Sequence, residues 1–173
     1  MTTPTASTVT TTGRRLDPQT LREAFGQFPT GVVALAAEVD GERVGLAAST
    51  FVPVSLDPPL VSVCIQNTSS TWPRLAGADR LGISVLGAEH GAAARTLGRK
   101  AGDRFAGLST HATRQGALFV EGACTWLDTS VADTVHAGDH TIALLRVHDL
   151  TVRPEFSPLV FHASAFRQLL TAS

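Results

Sequence analysis

Short blocks of apolar and small residues, each closed by turn residues, recur along most of this chain, and they read as strands rather than helices. Val32 to Val39, Phe51 to Leu56, Leu60 to Ile65, Leu81 to Leu86, Leu118 to Leu127 and Thr141 to Leu150 are the six main candidates, β-branched or alternating in pattern, the last two separated by a polar connection that ends in Gly138-Asp139-His140. Asp40-Gly41 predicts a hairpin, with the chain returning from Glu42. Asp57-Pro58-Pro59 fixes two successive φ angles and removes two backbone donors, so one strand stops there and another begins at Leu60. Leu60 to Ile65 is almost continuously apolar, with Ser62 and Cys64 interposed, as a strand covered on both faces should be. After Pro158, Leu159 to His162 adds a last short strand, and Phe166, Leu169 and Leu170 predict a closing helical or irregular packing segment.

Helical spacing is confined to short stretches. Leu21, Phe25 and Phe28 recur behind Asp17-Pro18, which offers an N-cap acceptor and a first-turn proline, and this helix must end before Pro29. Arg74 to Ala78 follows Trp72-Pro73 as a second short helix, and Ala88 to Leu97 is rich in good helix formers. Many strands with few short flanking helices predict a mainly β chain, folded as an antiparallel barrel. A Gly-x-Gly-x-x-Gly loop and an internal repeat are both missing, which disfavours a doubly wound nucleotide fold. The Thr-rich start has too little apolar surface to offset the entropy of ordering, so residues 1–15 read as a tail and 16–173 as one domain.

Composition narrows the partners. The chain has 173 residues, with 14 Lys and Arg against 15 Asp and Glu, so no overall basic character argues for nucleic acid or an anionic membrane. No stretch approaches a membrane span and the start lacks the apolar core of a signal peptide, which predicts a cytoplasmic protein. Cys64 and Cys124 lack the paired spacing of a zinc site or redox dithiol, and no metal is expected. A hydrolytic elbow of the Gly-x-Ser-x-Gly type does not occur either.

Three stretches carry candidate chemistry. In Gly45 to Thr50, Gly45, Ala47 and Ala48 allow close approach to the backbone, and Ser49 and Thr50 add hydroxyls. Gln66 to Thr71 supplies six consecutive hydrogen-bonding side chains before a helix start, which is either simple capping or an anion site. Arg99, Lys100 and Arg104 form the densest local positive charge, just before Phe105; by charge alone such a run is a solvated loop. Gly138-Asp139-His140 reads by itself as a turn leading into a strand.

Taken together these residues resemble the flavin reductase-like family of short NAD(P)H:flavin oxidoreductases. The resemblance covers Leu21 to Phe161; its first motif is Phe28-Pro29-Thr30-Gly31-Val32, and it includes Val54-Ser55-Leu56-Asp57-Pro58-Pro59-Leu60 and Arg104 to Leu108. It implies the FMN-binding split barrel, an antiparallel Greek-key β-barrel. It also implies that Thr30, Gly45, Ala48, Ser49 and Thr50 line a flavin, with Cys64, Ile65 and Gln66 nearby. Ser70, Thr71, Arg104 and Phe105 would lie on the phosphate side. Gly138, Asp139 and His140 would serve the nicotinamide, with His140 as the catalytic candidate. FMN or FAD and NADH or NADPH are the implied cofactors, and a homodimer supplying a flavin-dependent monooxygenase is the implied assembly. Ser49 replaces a longer amide side chain common in the family, Pro53 a small residue, and Asp128-Thr129 stands where many members have cysteine. Hydride transfer to a flavin demands positioning rather than a protein nucleophile, and small residues, hydroxyls and a basic loop meet that demand. A non-enzymatic flavoprotein, carrying electrons or sensing, would need the flavin segment but not Gly138 to His140. A plain β-barrel interaction module would share only the strands.

Overall fold

The computed structural model describes residues 16–169. The Thr-rich tail and Leu170 lie outside them. A first helix, α1 (Pro18–Phe25), opens on Asp17, whose carboxylate accepts from the Gln19 and Thr20 N–H groups at 3.0 Å each. Its predicted periodicity is real, but the helix buries none of its residues, and Phe25 and Phe28 stay exposed.

The strands are β1 (Thr30–Gly31), β2 (Val33–Val39), β3 (Glu42–Ala48), β4 (Val52–Leu56), β5 (Pro59–Gln66) and β6 (Leu81–Val85). They continue as β7 (Thr110–Ala112), β8 (Leu118–Val120), β9 (Thr125–Ala137), β10 (His140–Val152), β11 (Leu159–His162) and β12 (Ala165–Gln168). Two further helices, α2 (Trp72–Ala76) and α3 (Gly91–Leu97), interrupt them, the second preceded by a 3-10 turn at Ala88–His90. Seven strands form the main antiparallel sheet in the order β3-β2-β6-β9-β10-β5-β4. Its outer strands, β3 and β4, are consecutive in the chain and joined only through Ser49, Thr50 and Phe51. A sheet whose opposite edges are that close must curl back on itself, and the result is a split barrel. Thr50 ties the seam: its Oγ1 accepts from the Cys64 N–H at 3.0 Å and donates to the Cys64 carbonyl at 2.9 Å.

Strand β2 explains the unbroken apolar run at its start. Val33, Leu35 and Ala37 face the barrel interior with Val63, Ile83 and Leu145. Ala34 and Ala36 face the other way, against Leu97, Phe105, Leu118 and Leu159. With both faces buried there is no polar alternation to read. Close packing on the outer side also fixes Gly82, where a Cβ would fall 2.3 Å from the Leu118 carbonyl oxygen.

Two predicted elements differ. Leu118 to Leu127 is not one strand: the chain turns at Glu121-Gly122, with Gly122 at φ +76°, and β8 and β9 lie in different sheets. The polar stretch after Leu127, expected to be a connection, is the continuation of β9 as far as Ala137. It is polar because β6 pairs β9 only from Thr125 to Thr129, so beyond Val131 the strand projects as a solvated arm paired with β10. The segment holding Phe166 is strand β12, paired with β11, rather than helical or irregular.

Candidate functional site

The mouth of the barrel carries a cavity of about 540 Å3, in the range of small-molecule sites. Its walls come from four places in the chain. Leu46 to Thr50 form one side, at the end of β3 and the start of the seam. Cys64, Ile65 and Gln66 at the end of β5 form the floor beside them. Thr68 to Thr71 and the loop Leu97 to Lys100, with Arg104, enclose one end, and His140 stands at the rim. Sheet register explains the meeting of Gln66 and His140, which are direct partners across β5 and β10.

The two ends differ chemically. Near Leu46, Ala47, Ala48 and Ile65 the wall is apolar, suited to the face of a flat ring. The other end gathers Ser69, Ser70, Thr71, Arg99, Lys100 and Arg104, hydroxyl and cationic groups suited to a phosphate. Arg104 is itself held: one Nη1 donates to the Gly45 carbonyl at 3.0 Å and to Thr71 Oγ1 at 2.5 Å. The helix start contributes less than the sequence implied. Helix α2 has only five residues, Thr71 makes no capping bond with its side chain, and Ser69 Oγ accepts the Trp72 N–H at 3.2 Å. Capping thus accounts for Ser69, whereas Thr71 is bonded by Arg104.

Of the residues singled out from sequence, the cavity brings together Ala48, Ser49, Thr50, Cys64, Ile65, Gln66, Ser70, Thr71, Arg104 and His140. Thr50 lines it, but both hydrogen-bonding functions of its hydroxyl are engaged by Cys64. Gly45 is buried and faces away; a Cβ there would lie 2.6 Å from Phe105 Cζ, so glycine is needed to seat Phe105. Phe105 is buried under the wall rather than in it. Thr30 pairs with Phe161 in the small sheet. Gly138 and Asp139 form the β9–β10 turn behind His140, with Gly138 at φ +65°.

Asn67 was legible only as one of six polar residues, yet it fixes that turn. Its N–H donates to the Asp139 carbonyl at 3.0 Å, its Nδ2 donates to the Gly138 carbonyl at 3.1 Å, and its Oδ1 accepts from Thr141 Oγ1 at 2.8 Å. No periodicity could have revealed it, because its partners lie more than seventy residues on. Within the turn, His140 Nδ1 and Asp139 Oδ1 are 2.7 Å apart, and this hydrogen bond holds the Asp139 carboxyl below its ordinary range.

This geometry has parallels among known proteins. The flavin reductase like domain model matches residues 25–170. The chain belongs to the flavin reductase-like family. It is 34% identical over 152 residues to a flavin reductase of Pseudomonas putida, covering 87% of this chain and 89% of that protein. It is 31% identical over 144 residues to the reductase subunit HsaB of a flavin-dependent monooxygenase of Mycobacterium tuberculosis, with 83% and 77% covered. Among solved structures, the NADH:FAD oxidoreductase SgcE6 of Streptomyces globisporus, in complex with NAD and FAD fragments, aligns with a TM-score of 0.84 at 32% identity. That alignment covers 91% of this chain and 97% of that one.

Within this flavin reductase-like chain, Thr129 is fully buried and donates from Oγ1 to the Leu81 carbonyl at 2.9 Å. The neighbouring Asp128 faces Arg80 at 3.7 Å on the outside of the barrel. Neither residue lines the cavity. Among the described residues no group of three His, Cys, Asp or Glu side chains could hold a metal.

Proposed function

We infer that this chain is an NAD(P)H-dependent flavin reductase. The observation that carries the reading is one cavity with an apolar wall of small residues, a hydroxyl and cationic end, and a histidine at its rim. The ring system of FMN or FAD fits the apolar wall, and its phosphate fits Ser70, Thr71, Arg99, Lys100 and Arg104. The reaction is transfer of a hydride from the reduced nicotinamide to flavin N5, with a proton from solvent completing the dihydroflavin and oxidised nicotinamide leaving. The protein's part is to hold the rings. Ala47 and Ala48 let the flavin lie close to the strand, Ile65 backs it, and Arg104 stays fixed by Gly45 and Thr71 without reorganising when anion arrives.

His140 is the residue assigned to the nicotinamide. It lines the cavity, and Asp139 orients its ring through Nδ1. Thr30, Gly138, Asp139 and Phe105 act from behind the cavity wall, as supports rather than contacts.

The reading extends to partners. The reductase subunits among the relatives support a role in supplying reduced flavin to a separate monooxygenase. A homodimer is the assembly proposed, supported by the apolar side chains that edge strand β4 leaves exposed, with Leu56 at 96%. No helix among the described residues is long and apolar enough to cross a membrane. A cytoplasmic location belongs to the same proposal, because the reduced nicotinamide it requires is a charged nucleotide of that compartment.

The test is oxidation of NADH and NADPH by the purified protein, followed with and without added FMN, FAD and riboflavin. Flavin-dependent turnover is expected. Flavin binding with no turnover for any pairing would overturn the reductase reading in favour of a non-enzymatic flavoprotein.

A further inference from the structure

Ser70, Thr71 and Arg104 stand between two hollows. On one side is the cavity already described; on the other is an annex of about 270 Å3, whose further walls include Arg43, Arg74, Gly102 and Asp103. The annex therefore starts at the residues assigned to the flavin phosphate and continues toward Arg43, Arg74 and Gly102.

Its charge is arranged for an anion with more to follow. Arg43, Arg74 and Arg104 all border it. The nearby carboxylates are engaged: Asp103 Oδ1 accepts the Phe105 N–H at 2.8 Å and its Oδ2 lies 3.8 Å from Arg43, while Glu42 Oε2 receives Arg74 Nη2 at 2.7 Å. These pairs hold two guanidinium groups at the rim with their side chains still 41% and 45% exposed. Arg43 packs over Phe105 at 5.3 Å from the ring centroid, and a guanidinium seated this way offers its planar surface to a second aromatic ring. Gly102, at φ +89°, adds no side chain to close the space.

FMN ends at its single phosphate and would leave the annex unfilled. FAD continues from that phosphate into a second phosphate, a ribose and an adenine. We propose that the annex receives the adenosine diphosphate half of FAD, so that this chain binds FAD in preference to FMN. The proposal rests on the flavin reductase reading and adds the choice of flavin to it.

Titration of the purified protein with FAD and with FMN, followed by flavin fluorescence, tests it. FAD is expected to bind about tenfold more tightly than FMN, and ADP to displace FAD. Arg74→Gln and Arg43→Gln are each expected to weaken FAD severalfold to tenfold while FMN stays within about twofold, and the unchanged FMN affinity shows that the variants are folded. Equal affinity for the two flavins in the parent protein overturns the proposal, as does an equal loss for both in the variants. A loss in the variants confined to the KM for NADPH overturns it too, because the annex would then serve the nicotinamide nucleotide. Binding of neither flavin would instead remove the function on which the proposal rests.

Discussion

The two sides of the cavity are built in opposite ways. The wall from Leu46 to Thr50 is fixed by the sheet: Gly45 to Ala48 pair with Ala36 to Val33, Thr50 is locked to Cys64, and Phe105 fills the space behind. The Gly138 to His140 corner is the tip of an exposed hairpin, at the end of a strand that has left the core. Its position depends on the side chain of Asn67. The difference suits the work. A flavin ring needs a fixed surface to lie on, whereas a nicotinamide must enter and leave at every turnover, which favours an exposed rim that a few hydrogen bonds keep in register.

The comparison can be broken first at the wall. Gly45→Val would place side-chain atoms where Phe105 Cζ already sits, and overpacking of this kind costs about 1–3 kcal/mol. Thermal or urea unfolding should show that loss, together with weaker flavin binding, since the Gly45 carbonyl also anchors Arg104. A fully stable variant would show that the wall is softer than described.

At the hairpin the expected change is functional rather than global. Asn67→Ala removes two of the three hydrogen bonds made by that residue and leaves its backbone bond to Asp139. The KM for the nicotinamide should rise about tenfold, as for loss of roughly 1.4 kcal/mol of positioning, with the melting temperature and flavin affinity little changed. A loss of flavin affinity of equal size would mean that the two sides are not separable.

Thiol chemistry sharpens the contrast on the wall side. Cys64 lines the cavity and is partly exposed, whereas Cys124 is buried and burial pushes its thiol pKa up. Alkylation at neutral pH should therefore mark Cys64 alone, and bound flavin should slow it. Labelling unaffected by flavin would place the ring elsewhere.

The smallest effect concerns acid. The hydrogen bond from His140 lowers the Asp139 pKa from 3.8, so the folded hairpin favours the carboxylate. This support is present above 3.8 and is lost as pH falls through the lower folded value. No titrating side chain takes part in the Thr50 and Cys64 bonds that tie the wall. Hydrogen exchange should therefore show the hairpin tip losing protection relative to β3 and β5 in that window. Parallel loss at both places would contradict the contrast.

The elements of the wall were legible in sequence because short-range chemistry makes them: Asp40-Gly41 turns β2 into β3, and the Asp-Pro-Pro segment separates β4 from β5. Ala48, Ser49 and Gln66 line the cavity, and so does the basic charge near Arg104. What stayed hidden depends on contacts between distant segments. Gly45 looked like a residue opening space for a ligand, when Phe105, sixty positions later, occupies that space. The β9 arm looked like a loop because its solvated half carries the polar residues of one, and strand pairing with β10 is invisible to composition. Asn67 could not be told from its neighbours without the hairpin it holds.

The most direct measurement is steady-state kinetics of His140→Ala against the parent protein, with nicotinamide and flavin varied separately and flavin affinity measured in parallel. The account predicts a raised KM or lowered kcat/KM for the nicotinamide, with the flavin dissociation constant essentially unchanged. An equal or larger loss of flavin binding would contradict it and move His140 from the nicotinamide to the flavin.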